Sequence, residues 1–415
     1  MSKYDVVIAG AGPAGSAASI YLATAGFQVL LLERKSFPRP KLCGEFISPE
    51  CQRHFEKLGV AAAMELSAPA QIARTAFYGQ MGRHVDVPSS FFGGVALGLS
   101  RATMDHNLIE RARAVGVEVI ENATVSEVMR GGARVVGVKY KTKQGMSEAE
   151  AGITIDATGR GRVLCRKVVE PKSEVKRSKL IAFKAHFRNT AIEPATCEIY
   201  VYSGGYGGLS SVEGNVANFC FIVKARDVQR CHSDPDRVLA EVVMKNQRAS
   251  TTLTNATRYS EWLSASLQGF GRFNPSPATG LLSIGDSASF IDPFTGSGML
   301  MALDSAETVS KTIVRYHNKL SCDFALQKLC ESYVVEYSRK FSSRLRLCSL
   351  VRRAAFSPVL AESVIALCNA SAGIKTLLAK GTRGAGGRDS KIKGSLRKVL
   401  LFLNCSSPKR KISRI

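Results

Sequence analysis

YDVVIAGAGPAGSAASIYLATAGFQVLLLE, residues 4–33, decides how the chain folds. The apolar run at 6–9 predicts a short buried strand, and the residues from about 13 to 25 predict a helix that Gly26 ends. A second strand follows at 28–32. The three elements form a βαβ unit whose first turn carries Gly-x-Gly-x-x-Gly, the fingerprint of dinucleotide binding in its required context. We therefore predict a parallel sheet with a dinucleotide site at this turn.

Each polar or glycine position of the fingerprint has a physical task. Gly10 allows the tight turn, Gly12 lets a pyrophosphate approach the backbone, and Gly15 lets the helix pack closely on the strand. The N-terminus of the helix presents unpaired N–H groups and the positive end of its dipole to phosphates. Glu33 lies where a carboxylate accepts a hydrogen bond from a ribose hydroxyl.

Composition limits the class of protein. The 415 residues are enough for two or three domains, and the apolar content of 45% is ordinary for a globular chain. The eleven cysteines include no Cys-x-x-Cys pair, which favours reduced thiols in the cytoplasm over a disulfide framework or a zinc site. The apolar N-terminus lacks the basic region of a signal peptide, and no apolar run is long enough to span a membrane.

Positive charge is concentrated near the C-terminus. The net charge is +23, and residues 336–415 contain 18 Lys and Arg against 3 Asp and Glu. Basic and apolar residues mix at 344–353, and Leu396, Val399, Leu400 and Leu403 are spaced for one face of a helix. This pattern predicts peripheral contact with an anionic membrane surface, or else a helical cap on a cavity with a solvated outer face. No nucleic acid partner is expected, because no recognised binding module accompanies the charge.

Two further motifs follow predicted buried strands. Gly285-Asp286 ends the strand at 281–284, where a carboxylate can accept from a sugar-alcohol hydroxyl, although such a pair is often only a turn. Asp292-Pro293, Gly296, Gly298 and Met299 then open a long helix whose backbone N–H groups could stabilise charge on a planar ring. Asp156-Ala157-Thr158-Gly159 follows another predicted strand. Alone it is a common turn, and it indicates a site only because it lies between the other two motifs.

A second domain interrupts the first. Residues 180–187, 197–202 and 216–223 predict antiparallel strands, residues 70–88 add strands to the same kind of sheet, and a helix is expected at 235–246. We predict an α/β fold: a Rossmann-like domain, an inserted antiparallel β-sheet substrate domain and a helical C-terminal region. The boundaries assign 1–70, 99–165 and 276–335 to the nucleotide domain, 71–98 and 166–275 to the substrate domain, and 336–415 to the basic helical region.

The three motifs, in this order and spacing, resemble the FAD-dependent oxidoreductases of the aromatic-ring hydroxylase and geranylgeranyl reductase superfamily over about residues 3–320. The resemblance implies FAD as the cofactor, and an Arg before a helix that helps to hold it. The implied cofactor-binding residues are Gly10, Gly12, Pro13, Ala14, Gly15, Glu33, Arg34, Cys43, Gly44, Arg101, Gly285, Asp286, Pro293, Gly296, Gly298 and Met299.

One segment indicates a branch of that superfamily. Pro38-x-x-Lys41-x-Cys43-Gly44 resembles the Pro-x-x-x-x-Cys-Gly segment of the geranylgeranyl reductase branch, which lies beside flavin and substrate. It implies Cys43 as a catalytic proton relay, against the alternative of a small core thiol. Tyr206, in the glycine-rich stretch 204–210, is the implied second catalytic residue, and the alternative for this stretch is a mobile hairpin. The single tryptophan, Trp262, lies outside the Trp-x-Trp-x-x-Pro context that flavin halogenases need.

Three functions remain open from the sequence. The favoured one is reduction of carbon–carbon double bonds in a small hydrophobic, isoprenoid or lipid-like substrate. The others are hydroxylation by an FAD monooxygenase and electron transfer by a non-catalytic flavoprotein. No second dinucleotide fingerprint is present, so electrons are expected either from NAD(P)H that docks transiently or from a protein donor. No metal site is expected, Asp304 and Glu307 are expected to be solvated or paired, and the oligomeric state stays open.

Overall fold

The structure is a computed structural model that describes residues 4–169, 179–267, 270–317, 320 and 322–382. Its first sheet has seven strands. Their spatial order is Glu118–Ile120, Val29–Leu32, Tyr4–Ala9, Gly145–Asp156, Arg134–Thr142 and Thr124–Gly131, with Leu281–Ser283 beside Gly145–Asp156.

The twelve-residue strand Gly145–Asp156 joins two halves of this sheet. Its first half pairs antiparallel with Arg134–Thr142, and its second half pairs parallel with Tyr4–Ala9. Because the neighbouring strands Val29–Leu32 and Leu281–Ser283 run parallel to it, their carboxyl ends all meet at one edge of the sheet. Ligands of open α/β sheets bind at such an edge.

Both faces of the parallel sheet are buried, which explains its almost unbroken apolar strands. Val6 and Ile8 face a core that includes the helices Pro13–Thr24 and Gly298–Val314. Val7, by contrast, faces the hairpin side of the sheet. The other helices that pack into the first of these cores are Gln52–Leu58, Ala61–Leu66, Arg101–Ala114 and Asp323–Ala355.

The second sheet has eight strands and forms the inserted domain. Their order is Thr257–Arg258, Leu180–Arg188, Val216–Lys224, Gly205–Val212, Thr196–Tyr202, Arg74–Tyr78 and His84–Pro88, with Leu263–Leu267 beside Leu180–Arg188. Helices on one face are Ala225–Arg230, Pro235–Glu241 and Gln247–Leu253. The helix expected to reach residue 246 ends at Glu241, and a separate 3₁₀ turn follows at Val243–Lys245.

Smaller elements complete the described chain. A three-stranded sheet is formed by Phe46–Ile47, Ala96–Gly98 and Ala70–Ile72, and a two-stranded one by Gly271–Arg272 and Ser289–Phe290. The remaining helices are Cys165–Val168, Pro358–Ala370 and Ala372–Thr382. Other 3₁₀ turns lie at Pro49–Cys51, Ser89–Phe92, Gly159–Gly161, Glu213–Asn215, Gly285–Ser287 and Pro293–Thr295.

The glycine-rich stretch forms the second strand of a hairpin with Thr196–Tyr202, and this strand lies at the centre of the second sheet. Gly205–Val212 pairs on both sides, with Thr196–Tyr202 and Val216–Lys224. A Cβ on Gly207 would lie 2.9 Å from the ring of Phe219, because large aromatic side chains from the neighbouring strand cover it. The glycines therefore make room for packing inside a regular strand.

The helix Asp323–Ala355 lies against the first domain. Arg344 and Leu347, for which the sequence left open a membrane surface or a helical cap on a cavity, are 3% and 6% exposed. Asp304 and Glu307 are also buried and fully paired rather than solvated: Asp304 lies 2.9 Å from Arg53 and 3.2 Å from Lys340. None of the described helices is long and apolar enough to cross a membrane. The leucines at 396–403 lie outside the described residues.

Candidate functional site

A cavity of about 900 Å³ opens at the carboxyl edge of the first sheet and continues to the second sheet and the C-terminal helices. It brings together segments that are far apart in the sequence. The expected cofactor and catalytic residues that line it are Gly10, Gly12, Pro13, Ala14, Glu33, Arg34, Cys43, Gly44, Arg101, Tyr206, Gly285, Asp286, Pro293, Gly296, Gly298 and Met299. Gly15 does not line the cavity and lies instead at the contact between helix and strand.

The first turn has no room for side chains. Gly10 has φ of +100°, and a Cβ there would lie 2.5 Å from the carbonyl oxygen of Ala157. A Cβ on Gly15 would lie 1.9 Å from the carbonyl oxygen of Gly10. Gly12 precedes the first residue of the helix Pro13–Thr24, whose first N–H groups have no intrahelical partner. This geometry suits a phosphate at the helix N-terminus.

A chain of buried charges fixes the turn. The Glu33 carboxylate accepts the N–H of Ala11 at 3.0 Å and pairs with Arg39 at 3.3 Å. Arg39 also contacts Asp105 at 3.2 Å, and Asp105 accepts two bonds from Arg101 at 2.8 and 2.7 Å. The Arg101 guanidinium lies 3.8 Å from where a Cβ on Gly12 would stand. The sequence analysis missed Arg39 and Asp105, although the i,i+4 spacing of Arg101 and Asp105 was a signal.

Asp286 sits among positive charges. Burial raises the pKa of the Asp286 carboxyl, and Arg160, Lys41 and Arg101 act in the opposite direction. Burial, followed by Arg101 and the other arginines, lowers the pKa of Lys41 to about 8. Within the described chain neither Lys41 nor Arg160 has a carboxylate within ion-pair distance. These groups make the middle of the cavity attractive to anions such as phosphates.

Asp156 has a structural role in the same region. Its carboxylate accepts the N–H groups of Thr158, Leu164 and Cys165 at 2.9 to 3.1 Å, together with the hydroxyl of Ser287 at 3.0 Å. It therefore ties the turn after one strand to the Gly-Asp turn after another. Only the residues beyond it, starting at Ala157, reach the cavity.

Glu45 connects the two domains beside Cys43. Its carboxylate accepts the backbone N–H of Arg101 and the ammonium of Lys184, both at 2.9 Å, and bonds His186 at 2.6 Å. Burial would raise the pKa of Glu45, but the bond from His186 and the charge of Lys184 outweigh it and hold that pKa below its ordinary value. Glu45 directly follows Cys43-Gly44 in the sequence motif, but no local pattern indicated its role, because its partners Lys184 and His186 lie on a distant strand.

The Cys43 loop is held at both its backbone and its thiol. The carbonyl of Cys43 accepts a hydrogen bond from Asn218 at 3.1 Å, and its Sγ accepts the N–H of Glu45 at 3.5 Å. The thiol is half-buried in the cavity wall. Cys43 is therefore placed as a wall residue that connects the first domain with the substrate sheet.

Tyr206 projects from the glycine-rich strand toward the loop before the long helix. Its hydroxyl donates to Asp292 Oδ1 at 2.5 Å, and its ring meets Phe294 edge-on at 5.0 Å. Burial, with the nearby Asp292, raises the pKa of the Tyr206 phenol well above its ordinary value. Asp292 was expected to contribute only backbone geometry, so its side-chain partner is a finding of the structure.

The far arm of the cavity is apolar. One wall comes from the second sheet and the other from the helices Pro358–Ala370 and Ala372–Thr382. Its apolar lining residues include Phe77, Val85, Val87, Phe92, Ile199, Val201, Ala361, Val364, Ile365 and Leu378. The sequence analysis did not predict this wall, since no local pattern pairs the C-terminal helices with strands almost 300 residues earlier.

Comparison with known proteins agrees with this geometry. Residues 3–318 match the FAD binding domain family. The chain is 28% identical over 309 residues to digeranylgeranylglycerophospholipid reductase 2 of Methanopyrus kandleri, covering 72% of this chain and 74% of the relative. It is 26% identical over 312 residues to a 1H-pyrrole-2-carbonyl-[peptidyl-carrier protein] brominase of Pseudoalteromonas luteoviolacea, covering 72% and 75%.

A solved structure supports the fold. The geranylgeranyl bacteriochlorophyll reductase-like protein of Thermoplasma acidophilum superposes with a TM-score of 0.75 at 18% identity, covering 95% of this chain and 99% of that one. At that identity the likeness concerns the fold alone. The family match, which spans three quarters of the chain and contains all three motifs, carries the identification. The chain belongs to the FAD binding domain family and is an FAD-dependent oxidoreductase of the superfamily that includes the geranylgeranyl reductases.

Proposed function

We propose that this enzyme reduces carbon–carbon double bonds of an isoprenoid or other lipid-like substrate. The observation that carries the proposal is the single cavity, which joins the cofactor turn to a long apolar arm. An apolar arm this close to the cofactor residues suits a hydrocarbon substrate, because burial of each CH₂ group contributes about 0.8 kcal/mol.

The residues of the polar end fit FAD. The side-chain-free turn at Gly10 and Gly12 would receive the pyrophosphate, Glu33 would accept from the adenosine ribose, and Asp286 would accept from the ribityl chain. The turn Pro293–Thr295 and Gly296 would border the ring system. Bound there, FAD supplies hydride transfer.

The protein itself orients the substrate and delivers a proton. Cys43 and Tyr206 both line the cavity. We propose that an alkene entering from the apolar arm meets the cofactor beside them. A fixed wall on both sides keeps the alkene in one orientation and excludes water. NAD(P)H is the proposed donor, and it would dock only transiently.

A second candidate, oxygen-dependent chemistry, has one observation in its favour. Relatives of similar identity include the brominase above and a tryptophan 2-halogenase of Chondromyces crocatus, which is 25% identical over 326 residues. The segment at Cys43 and the apolar arm favour reduction over that candidate. Electron transfer without a substrate is the third candidate. Turnover of a lipid substrate by the purified protein would exclude it.

The test is turnover by the purified flavin-loaded protein with NADPH and candidate polyprenyl lipids, read by product mass. We expect a gain of two hydrogens, and Cys43→Ser should slow it by about 10²-fold while FAD stays bound. Cys231→Ser is the control, since Cys231 is buried in the second domain away from the cavity. Gain of oxygen or halogen in air, or flavin reduction with no substrate turnover, would overturn the proposal.

A further inference from the structure

We propose that Tyr206, Asp292 and Arg352 form a proton-delivery chain. Tyr206 is the catalytic acid of this chain, and Asp292 and Arg352 are positioning residues that supply and control its proton. The inference rests on the proposed reduction of an alkene, and it adds the origin of the proton that this reaction consumes.

The geometry fixes Tyr206 against Asp292. The phenol donates to Asp292 Oδ1 at 2.5 Å, and the backbone N–H of Phe294 donates to the same oxygen at 3.0 Å. The rings of Phe294 and Phe356 meet the Tyr206 ring edge-on at 5.0 and 5.8 Å. The tyrosine therefore keeps one orientation at the cavity wall.

Asp292 has an incomplete set of partners. It is 4% exposed, and its Oδ2 is buried with no hydrogen-bond partner within the described residues. Arg352 Nε lies 4.0 Å from that oxygen, too far for a hydrogen bond but close enough to interact electrostatically. An incompletely paired buried carboxylate is costly, and taking up a proton removes that cost.

The groups around Asp292 shift the pKa of its carboxyl in opposite directions. Burial raises the pKa of Asp292, while Tyr206, the N–H of Phe294 and Arg352 act in the opposite direction. Cys220 is the further titratable group near Tyr206. Arg352 also lies over the ring of Phe270 at 4.7 Å, which holds the guanidinium in place.

The proposed step accounts for every proton and electron pair. When hydride reaches one alkene carbon, the other carbon takes the proton of the Tyr206 hydroxyl, and the electron pair of the π bond forms the new C–H bond. For this step the Tyr206 hydroxyl turns from Asp292 to the alkene carbon, and the neutral Asp292 carboxyl then donates its own proton to the Tyr206 oxygen and becomes a carboxylate that faces Arg352. Water restores the proton on Asp292 after the product leaves.

Arg352 comes from a part of the chain that the family match does not reach. It lies on the helix Asp323–Ala355, whereas the match ends at residue 318. The C-terminal helix therefore supplies a charge to the site as well as packing to the first domain.

The kinetic test compares Tyr206→Phe with Tyr202→Phe. Tyr202 is equally buried and hydrogen-bonded, through its hydroxyl to the carbonyl of Ile222 at 3.0 Å, but it does not line the cavity. After anaerobic reduction with dithionite, we expect Tyr206→Phe to reduce the substrate about 10²-fold more slowly than wild type, with flavin content unchanged. Equal rates for the two variants would overturn the role of Tyr206.

A spectroscopic test is independent of turnover. We expect an infrared carbonyl band of a neutral carboxylic acid near neutral pH in the flavin-loaded protein, absent in Asp292→Asn. In Arg352→Gln the same band should persist to higher pH, because loss of the cation makes ionisation harder. A band that remains unchanged in Asp292→Asn would overturn the proton-delivery chain. If wild type yields no saturated product but shows this band, the proposed function fails and the protonated pair stands.

Discussion

At the residue scale, two glycines have positive φ for different reasons, one in the cofactor turn and one after the end of the helix Pro13–Thr24. Gly10 needs both its positive φ and the absence of a side chain, because a Cβ would meet the carbonyl of Ala157 at 2.5 Å. Gly26 also has a positive φ, of +89°, but nothing lies within 4 Å of a Cβ placed there. A comparison of the two positions therefore distinguishes the effect of backbone strain from the effect of a steric clash between a Cβ and the neighbouring backbone.

Gly10→Ala is therefore expected to lose bound FAD, whereas Gly26→Ala retains it. Both variants pay about 1 kcal/mol of left-handed strain, but only the first must move the backbone at Ala157. Flavin content per purified protein chain measures the effect. Equal flavin content in the two variants would contradict the role assigned to Gly10.

At the scale of elements, the helix Asp323–Ala355 is tied to the first domain by a buried ion network. Asp304 lies 3.2 Å from both His54 and Lys340, and 3.6 Å from Arg344. Arg344 in turn donates to the carbonyl of Ser297 at 3.3 Å, just before the helix Gly298–Val314. The network thus joins the C-terminal helix to the loop that borders the cavity.

Asp304→Asn is expected to lower the free energy of unfolding by about 3 to 5 kcal/mol, because it removes the carboxylate that the buried side chains of Arg344 and His54 contact. Asp323→Asn is the control, since its ion pair with Arg134 is at the surface and contributes about 1 kcal/mol or less. Urea unfolding at saturating FAD measures both. A change in Asp304→Asn no larger than that of the control would contradict the buried network.

The same network predicts how stability depends on pH. Burial would raise the pKa of Asp304, but the hydrogen bond from His54 and the charges of Lys340 and Arg344 outweigh it and hold that pKa below its ordinary value. The bonds from Lys57 and Lys311 likewise outweigh burial and lower the pKa of Glu307 to about 2. A lowered carboxyl pKa contributes stability above the ordinary pKa, and that contribution is lost as the pH falls toward the folded value. Unfolding free energy should therefore fall between about pH 5 and 2 less steeply in Asp304→Asn than in wild type.

At the scale of the whole molecule, the basic residues of the C-terminal segment follow directly on the helices that line the apolar arm of the cavity. Residues 383–415 contain 10 Lys and Arg against 1 Asp. The apolar arm of the cavity ends at the helices Pro358–Ala370 and Ala372–Thr382, which immediately precede this segment. We propose that the basic segment brings the apolar arm of the cavity close to an anionic lipid surface.

Removal of residues 383–415 is expected to reduce binding to anionic vesicles, with little effect on binding to zwitterionic ones. Changing Lys391, Lys393, Arg397 and Lys398 to Gln keeps the leucines and should weaken anionic binding by about 1 kcal/mol per charge. Vesicle sedimentation measures both variants, with flavin content as the check of folding. Unchanged sedimentation after the deletion would refute the surface contact.

The sequence determined the cofactor half of this protein, because its signals are local. The fingerprint at Gly10 and Gly12, and the strand before Gly285, are contiguous patterns whose geometry follows from glycine torsions, helix dipoles and strand ends. Those patterns gave the family, FAD and the residues of the polar end of the cavity.

The tertiary structure decided the rest, since it depends on contacts between distant segments. Glu45 finds its partners on a strand almost 140 residues later, and Asp292 meets Tyr206 from 86 residues away. No local pattern could place Arg344 and Leu347, because a mixture of arginine and leucine fits a membrane surface and a buried ion network equally well. The tertiary structure decides for the ion network, because only the folded chain brings Asp304 to 3.6 Å from Arg344.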